Sequence, residues 1–146
     1  MREPIRDINR LQHILEAIMT IEDYISNKSF LEFTNDKLLK HAVYYNVGIV
    51  GEAAYKLSSE FTDSHQDVPW RDIIKMRHVL IHGYYQLNSK TMWMTIKNDL
   101  PTLRSQVEKI LAEMNEINFI VKDYKRIKMI VPFLEDHERN LVVIKK

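Results

Sequence analysis

Residues 5–25 read IRDINRLQHILEAIMTIEDYI, and this stretch gives the clearest indication of the fold. Its apolar side chains recur at steps of three and four residues, which places them on one face of an α-helix. The polar residues 26–29 interrupt the pattern. We therefore predict a first helix over residues 5–25, whose apolar stripe comprises Ile8, Leu11, Leu15, Ile18 and Ile21.

The same spacing continues over residues 36–61, where Leu39 and Val43 begin a second apolar stripe. Thr34 or Asn35 is suited to cap this helix, because its side-chain oxygen can accept a hydrogen bond from an amide of the first turn. The whole chain contains only 3 Gly and 4 Pro in 146 residues. Such sparse turn residues favour long helices over many short strands.

Two further helices are predicted after the polar loop at residues 62–68. Pro69 suits the first turn of the earlier one, since its missing amide hydrogen would be unpaired there, and this helix should fray near Gly83. The later helix covers residues 92–114, where Pro101 should start a new helix or kink the existing one. The sequence therefore predicts an all-α, up-and-down bundle of four to five helices.

Residues 119–146 differ in character from the rest of the chain. They hold 7 basic and 4 acidic side chains, whereas residues 1–118 hold 14 and 16. Two β-prone runs, Ile127–Val131 and Leu141–Ile144, lie within them. We predict a helical bundle domain over 1–118 and a short basic C-terminal extension over 119–146. A β-hairpin and edge pairing with a partner chain are the two structures left open for the extension.

Composition and charge are those of an ordinary soluble domain. Hydrophobic residues make up 45% of the chain and charged residues 28%, with a formal net charge of +1. This charge gives no general attraction to nucleic acid or membranes, and no apolar run reaches the roughly 18 residues that a membrane span needs. The chain has no cysteine, which excludes disulfides, a thiolate nucleophile and cysteine-bound zinc. We expect a cytoplasmic protein that does not contact membranes.

One short segment near the middle of the chain holds the densest group of reactive side chains, namely Arg77, His78, His82 and Tyr84. Because a helix turns about 100° per residue, Arg77 and Tyr84 would share one face, and the two histidines a neighbouring face. His82 would lie roughly 140° from Arg77, so an ideal helix does not bring them together. Fraying at Gly83, or a second copy of the chain, would close this gap.

These residue types suit chemistry at a phosphate. An imidazole can take or give a proton near neutral pH, and a guanidinium forks onto phosphate oxygens and stabilises charge that develops there. The combination fits cleavage of RNA without a metal ion, in which the 2′-hydroxyl attacks the adjacent phosphate. The alternative is that these side chains face solvent or lie at the C-terminal end of the helix, where cations are favoured.

Side chains near this segment include candidates for an ion pair and for metal ligands. Glu52 follows Gly51 on an otherwise apolar face, so its carboxylate would either pair with a base of the Arg77 helix or point to water. His78 and His82 stand four residues apart, a spacing that two metal ligands can have. The HExxH arrangement is absent, however, because Glu does not follow His78. We predict no metal site and no cofactor.

Four blocks of sequence occur in a distinctive order: GEAAYKLS at 51–58, VPWRDII at 68–74, MRHVLIHGY at 76–84, and Trp93 followed by KNDLPTL at 97–103. Together they resemble the HepT-like toxin family of the HEPN superfamily. The resemblance covers roughly residues 5–114, and the combination is far more specific than any single block. It favours the catalytic interpretation of the central segment over the solvent-facing one.

The resemblance implies an α-helical homodimer that acts on RNA as a metal-independent ribonuclease toxin. The family motif falls on Arg77, His82 and Tyr84 and lines the cleft between subunits. His82 would act as acid or base and Arg77 would stabilise the transition state, while His78 and Tyr84 would support them. The implied partner is a minimal nucleotidyltransferase antitoxin, which uses ATP to transfer AMP onto Tyr84.

Two positions depart from the family pattern. Tyr45 stands before Asn46 where the family often has arginine, and Gly48 stands where an acidic residue is frequent. These departures leave a second interpretation open. The chain would then be a non-catalytic helical dimer that binds the nucleotidyltransferase or presents a nucleotide to it.

Overall fold

The computed structural model describes residues 4–83 and 87–144, and within them every regular element is a helix. The prediction of an all-α bundle is therefore confirmed. More helices occur than the four to five predicted, because three of them have only six residues each. The elements are α1 (Pro4–Ile25), α2 (Phe30–Asn35), α3 (Lys37–Tyr55), α4 (Ser59–Ser64), α5 (Trp70–His82), α6 (Ser89–Met94), a π-helical turn (Thr95–Asp99) and α7 (Leu100–Ile144).

The chain forms two compact units, residues 1–111 and residues 112–146. In the first unit α3 packs against both α1 and α5. Leu11, Ile18 and Ile21 of the stripe predicted for α1 lie in its core, whereas Ile8 and Leu15 are only partly buried. Apolar side chains of α3 and of the first turns of α7 complete the core. The side chains with the least exposure include Leu11, Ile14, Ile18, Ile21, Val43, Val47 and Val107.

Side-chain caps set the start of α2 and α3. Ser29 accepts a hydrogen bond from the amide of Glu32 at 3.1 Å and begins α2. Asp36 accepts one from the amide of Leu39 at 3.0 Å and begins α3. The predicted caps at 34 and 35 are therefore wrong, because both residues already belong to the short helix α2.

α3 ends at Tyr55, whereas the sequence predicted that this helix continues to Phe61. A buried carboxylate from α1 explains the break. Asp7, only 5% exposed, accepts hydrogen bonds from the amide of Ser58 at 2.8 Å and from its hydroxyl at 2.6 Å. The same hydroxyl accepts from the amide of Phe61 at 3.2 Å and thereby caps α4. A tertiary contact thus divides what the sequence pattern presents as one helix.

The predicted disturbance at Pro101 takes the form of the π-helical turn directly before it. Proline has no amide hydrogen, and its ring clashes with the carbonyl one turn earlier in a regular α-helix. Widening that turn relieves the clash while the helix axis continues. α7 starts at Leu100, immediately before the proline. Residues 89–144 are nevertheless helical without a break, so the choice between a new helix and a kink at Pro101 stays a prediction.

Residues 119–144 are helical and belong to α7, so the open alternatives of a β-hairpin or strand-edge pairing are wrong. Ile117, Ile120, Tyr124 and Ile127 recur at steps of three and four, and this helical period outweighs the local β propensity. All four side chains are exposed. The predicted division of the chain at residue 118 stays a prediction. No helix in the described ranges is long and apolar enough to cross a membrane.

Candidate active site on helices α3 and α5

The site is built where α3 and α5 approach each other most closely. At this point α3 carries Gly51 and α5 carries Arg77. A Cβ atom added to Gly51 would lie 2.5 Å from Cβ of Arg77 and 3.2 Å from the carbonyl oxygen of Ile73. Only glycine therefore permits this distance between the two helices. The close contact fixes where the arginine side chain starts.

Arg77 is held by two side chains from α3. Its Nε atom forms an ion pair with Oε2 of Glu52, and its guanidinium carbon lies 5.2 Å from the ring centroid of Tyr55. Lys56, one turn along α3, places Nζ 3.3 Å from the other oxygen of Glu52. The prediction that Glu52 pairs with a base of the Arg77 helix is confirmed. The arginine is about one-third exposed, with side-chain accessibility of 32%.

The electrostatics of Glu52 follow from these neighbours. Its partial burial raises the pKa of the carboxyl, but the hydrogen bond from Lys56 and the positive charges of Arg77 and Lys56 outweigh this effect. The net result is a pKa below the usual value of a glutamic acid. Glu52 therefore carries its negative charge throughout the neutral range and orients the guanidinium.

His78 and His82 lie on the solvent side of α5 and face each other, with ring centroids 4.5 Å apart. Their spacing of four residues on a continuous helix brings the rings together, as predicted. The helix stays regular through His82 and ends at Gly83, whose amide donates to the carbonyl of Val79 at 2.8 Å. The helix end therefore leaves both imidazoles exposed and close together.

The structure does not join the predicted residues into one site within a single chain. Among the described residues, neither a hydrogen bond nor an ion pair links His82 to Arg77. The two lie on different faces of α5, as the helical geometry predicted. Tyr84 lies outside the described residues. α5 ends at His82 with Gly83 as its C-cap, as predicted, and this helix end does not bring His82 to Arg77, so a second copy stays as the predicted way to close the gap.

A groove of about 690 Å³ lies between α1, α3 and α5 and reaches Arg77. The groove could not be predicted from the sequence, because Arg10 and His13 belong to α1 and no sequence spacing relates them to the Arg77 segment. The surface that lines the groove is largely apolar, although charged side chains contribute to it. It comprises Arg10, His13, His41, Tyr44, Tyr45, Gly48, Ile49, Glu52, Ala53, Lys56, Arg77, Leu80 and Ile81.

Within the parts of the chain that the structure describes, no group of three or more His, Asp or Glu side chains is placed to hold a metal ion. The ionisable side chains of the site instead form two groups. Glu52 is ion-paired with Lys56 and Arg77, and the imidazoles of His78 and His82 face each other on α5. Such a set can bind an anion at the guanidinium and exchange a proton at an imidazole.

Comparison with known proteins gives a consistent family. A family model described as "Ribonuclease HepT-like" matches residues 14–110. A "Probable ribonuclease HepT" of Thermococcus cleftensis is 36% identical over 100 residues, which cover 68% of this chain and 91% of that protein. A "Putative RNase" of Caldanaerobacter subterraneus is 38% identical over 103 residues, covering 70% of this chain and 92% of the relative.

A longer relative comes from Methanocaldococcus jannaschii, and its name joins a gamma-glutamylcyclotransferase to an RNase. It is 35% identical over 106 residues, which cover 73% of this chain. The match spans about half of that relative, 48% of its length. No solved structure matches the chain significantly.

Proposed function

The chain belongs to the HepT-like ribonuclease family, and from this premise we propose that it is a metal-independent endoribonuclease, the toxin of a toxin–antitoxin pair. The observation that carries the proposal is the fixed position of Arg77 beside the groove. Gly51 sets the start of its side chain, and Glu52 and Tyr55 hold its guanidinium. A preorganised cation of this kind stabilises charge that develops at a phosphate without reorganisation during the reaction.

The proposed reaction uses the RNA itself as nucleophile. The 2′-oxygen forms a bond to the adjacent phosphorus while the bond from phosphorus to the 5′-oxygen breaks. His82 takes the proton of the 2′-hydroxyl or gives one to the departing 5′-oxygen, and its neighbour His78 assists. Arg77 binds the non-bridging oxygens, since the ion pair engages only Nε and the guanidinium has further N–H donors. The products are a 2′,3′-cyclic phosphate and a 5′-hydroxyl.

The active form is a homodimer, because His82 and Arg77 occupy different faces of one α5 helix. A second copy facing the first brings the arginine of one protomer toward the imidazole of the other. The surface of α5 supports such pairing. Ile81 is 57% exposed and Val79 is 38% exposed, although both are large and apolar.

Regulation follows from the family motif. A minimal nucleotidyltransferase antitoxin silences the toxin by transferring AMP from ATP to Tyr84. The tyrosine oxygen forms a bond to the α-phosphorus, and pyrophosphate leaves. The added phosphate brings negative charge to the sequence motif that also holds the phosphate-binding arginine, so it opposes RNA binding. The support for this step is that Tyr84 stands next to Gly83, the residue that ends α5.

RNA cleavage by the purified chain in EDTA tests the proposal. Arg77→Ala and His82→Ala should each lower the cleavage rate by roughly 10²-fold or more, as for other transition-state and acid–base groups. Arg71→Ala, which removes an exposed arginine from the same helix, is the matched control and should cleave normally. Unchanged cleavage by both Arg77→Ala and His82→Ala would show that the catalytic assignment is wrong.

A second candidate function is a non-catalytic dimer that binds the nucleotidyltransferase or presents a nucleotide to it. One observation favours it: Arg77 already has an ion-pair partner and an aromatic neighbour, as a purely structural arginine would. Under this candidate the folded dimer binds the transferase, while RNA stays intact even at high protein concentration. RNA cleavage that disappears in His82→Ala would exclude it.

A further inference from the structure

We propose that the groove between α1, α3 and α5 is a nucleobase subsite for single-stranded RNA, in which one unstacked base lies beside Tyr45 while its phosphate contacts Arg77. The inference rests on the proposed function and extends it from the reacting phosphate to the recognition of the neighbouring base. It assigns a role to side chains of α1 that the cleavage reaction does not use.

The size and lining of the groove suit a base. Its volume is about 690 Å³, which is within the range of small-molecule sites. Ile49 and Ala53 of α3 and Leu80 of α5 supply apolar surface against which a flat ring can pack. Because Arg77 lines the same groove, a base inside it leaves the attached phosphate close to the guanidinium.

The charge of the groove lining suits a phosphate backbone. Arg10, Lys56 and Arg77 are positive, and His13 and His41 add two imidazoles. The carboxylate that lines this groove belongs to Glu52, which is paired with two of these cations. Backbone-tracking cations around apolar stacking surface are the usual combination in proteins that bind single strands.

Tyr45 supplies an exposed aromatic ring to the groove. It lines the groove, yet 71% of its surface is exposed. An aromatic ring presented to solvent at the edge of a cationic groove is a stacking platform, and every base can stack on it.

A second cavity of the first unit lacks these properties. It measures about 430 Å³, and its lining includes Asp67, Asp72 and Asp99 but neither lysine nor arginine. Three carboxylates would repel a phosphate backbone. Of these two cavities, the groove beside Arg77 has the charge that fits RNA.

Binding of a fluorescent single-stranded RNA to the full-length His82→Ala protein tests the subsite without cleavage. Tyr45→Ala should weaken binding roughly tenfold, whereas Tyr45→Phe should bind nearly normally, because stacking needs the ring and not the hydroxyl. Tyr24→Ala, which removes an exposed tyrosine from α1, is the matched control and should leave affinity unchanged. Arg10→Gln should weaken binding and reduce its salt dependence.

An oligonucleotide with a single abasic position makes the test sharper. When the missing base is the one held in the groove, wild-type Tyr45 and Tyr45→Ala should bind the RNA equally. Equal loss of affinity from the Tyr45 substitution for abasic and intact RNA would overturn the subsite. Displacement of the RNA by micromolar AMP would assign the groove to a free nucleotide and overturn it too.

The remaining outcomes separate this inference from the proposed function. If wild type and Tyr45→Ala bind and cleave RNA equally, the subsite is wrong while the ribonuclease stands. If folded wild type neither binds nor cleaves RNA, the proposed function fails and the subsite with it. If Tyr45→Ala changes the sedimentation of the dimer but not RNA affinity, a second copy occupies the groove and the subsite is wrong.

Discussion

Replacing Gly51 with alanine should displace Arg77. The new Cβ would lie 2.5 Å from Cβ of Arg77, whereas non-bonded carbon atoms rest about 3.5–4.0 Å apart. A different rotamer cannot relieve this contact, because Cβ is the base of the side chain. The helices must therefore separate by roughly 1 Å, and a misplacement of roughly 1 Å can cost about 10²-fold in rate. We expect a loss of about that size in cleavage.

The effect of the substitution on stability is smaller, because two terms oppose each other. Overpacking costs about 1–3 kcal/mol, while alanine gains about 1 kcal/mol over glycine inside a helix. Gly48→Ala on the same helix isolates the second term, since a Cβ there meets nothing within 4 Å. Gly48→Ala should raise the free energy of unfolding by about 1 kcal/mol, and Gly51→Ala should fall below it by about 1–3 kcal/mol.

Single-turnover cleavage and urea unfolding measure the two effects on the same preparations. We expect that Gly51→Ala stays folded and loses most of its rate of RNA cleavage. If Gly51→Ala were as stable as Gly48→Ala and cleaved RNA at the wild-type rate, the close contact would not position the arginine.

Three further substitutions test the packing and electrostatics. Glu52→Gln should lower the free energy of unfolding at pH 7. Because the pKa of Glu52 is lower in the folded state than in the unfolded chain, its charged form stabilises the fold at neutral pH, and the difference from wild type should shrink as the pH falls below about 4.5. Urea unfolding at pH 7 and at pH 3.5 measures this change. Asp7→Ala should cost about 2–3 kcal/mol by leaving two part-buried donors of Ser58 without their acceptor, whereas Asp23→Ala on exposed surface should stay within about 0.5 kcal/mol of wild type in the same assay. Phe33→Ala should cost about 3–5 kcal/mol in thermal and urea unfolding, because its ring is fully buried.

The long helices could be predicted from the sequence because the residues that determine them are close together along the chain. The apolar stripe of α1, and the proline and glycine that flank α5, are readable without knowledge of the tertiary structure. The short helix α4 was not predicted, since its boundary depends on Asp7, a residue of another helix. The C-terminal part of α7 was misread because β-branched residues lie on a helical period, and two local signals then disagree.

Some contacts of the candidate site could be predicted from the sequence, and others could not. For Glu52 the sequence left two alternatives, a partner on the Arg77 helix or exposure to water, and the ion pair with Arg77 selects the first. The role of Gly51 was missed, although glycine within a helix is costly and therefore signals a close approach. Arg10 was missed because its relation to Arg77 is purely tertiary.

The buried carboxylate of Asp7 has a consequence for how the chain acquires its structure. Its contact with Ser58 joins residues 51 positions apart, and contacts between distant residues form late and slow a folding reaction. The first turn of α1 and the turn before α4 should therefore open and close as one cooperative unit, with matched amide-exchange protection. The helix most easily recognised in the sequence is one whose beginning is completed by a residue from the middle of the chain.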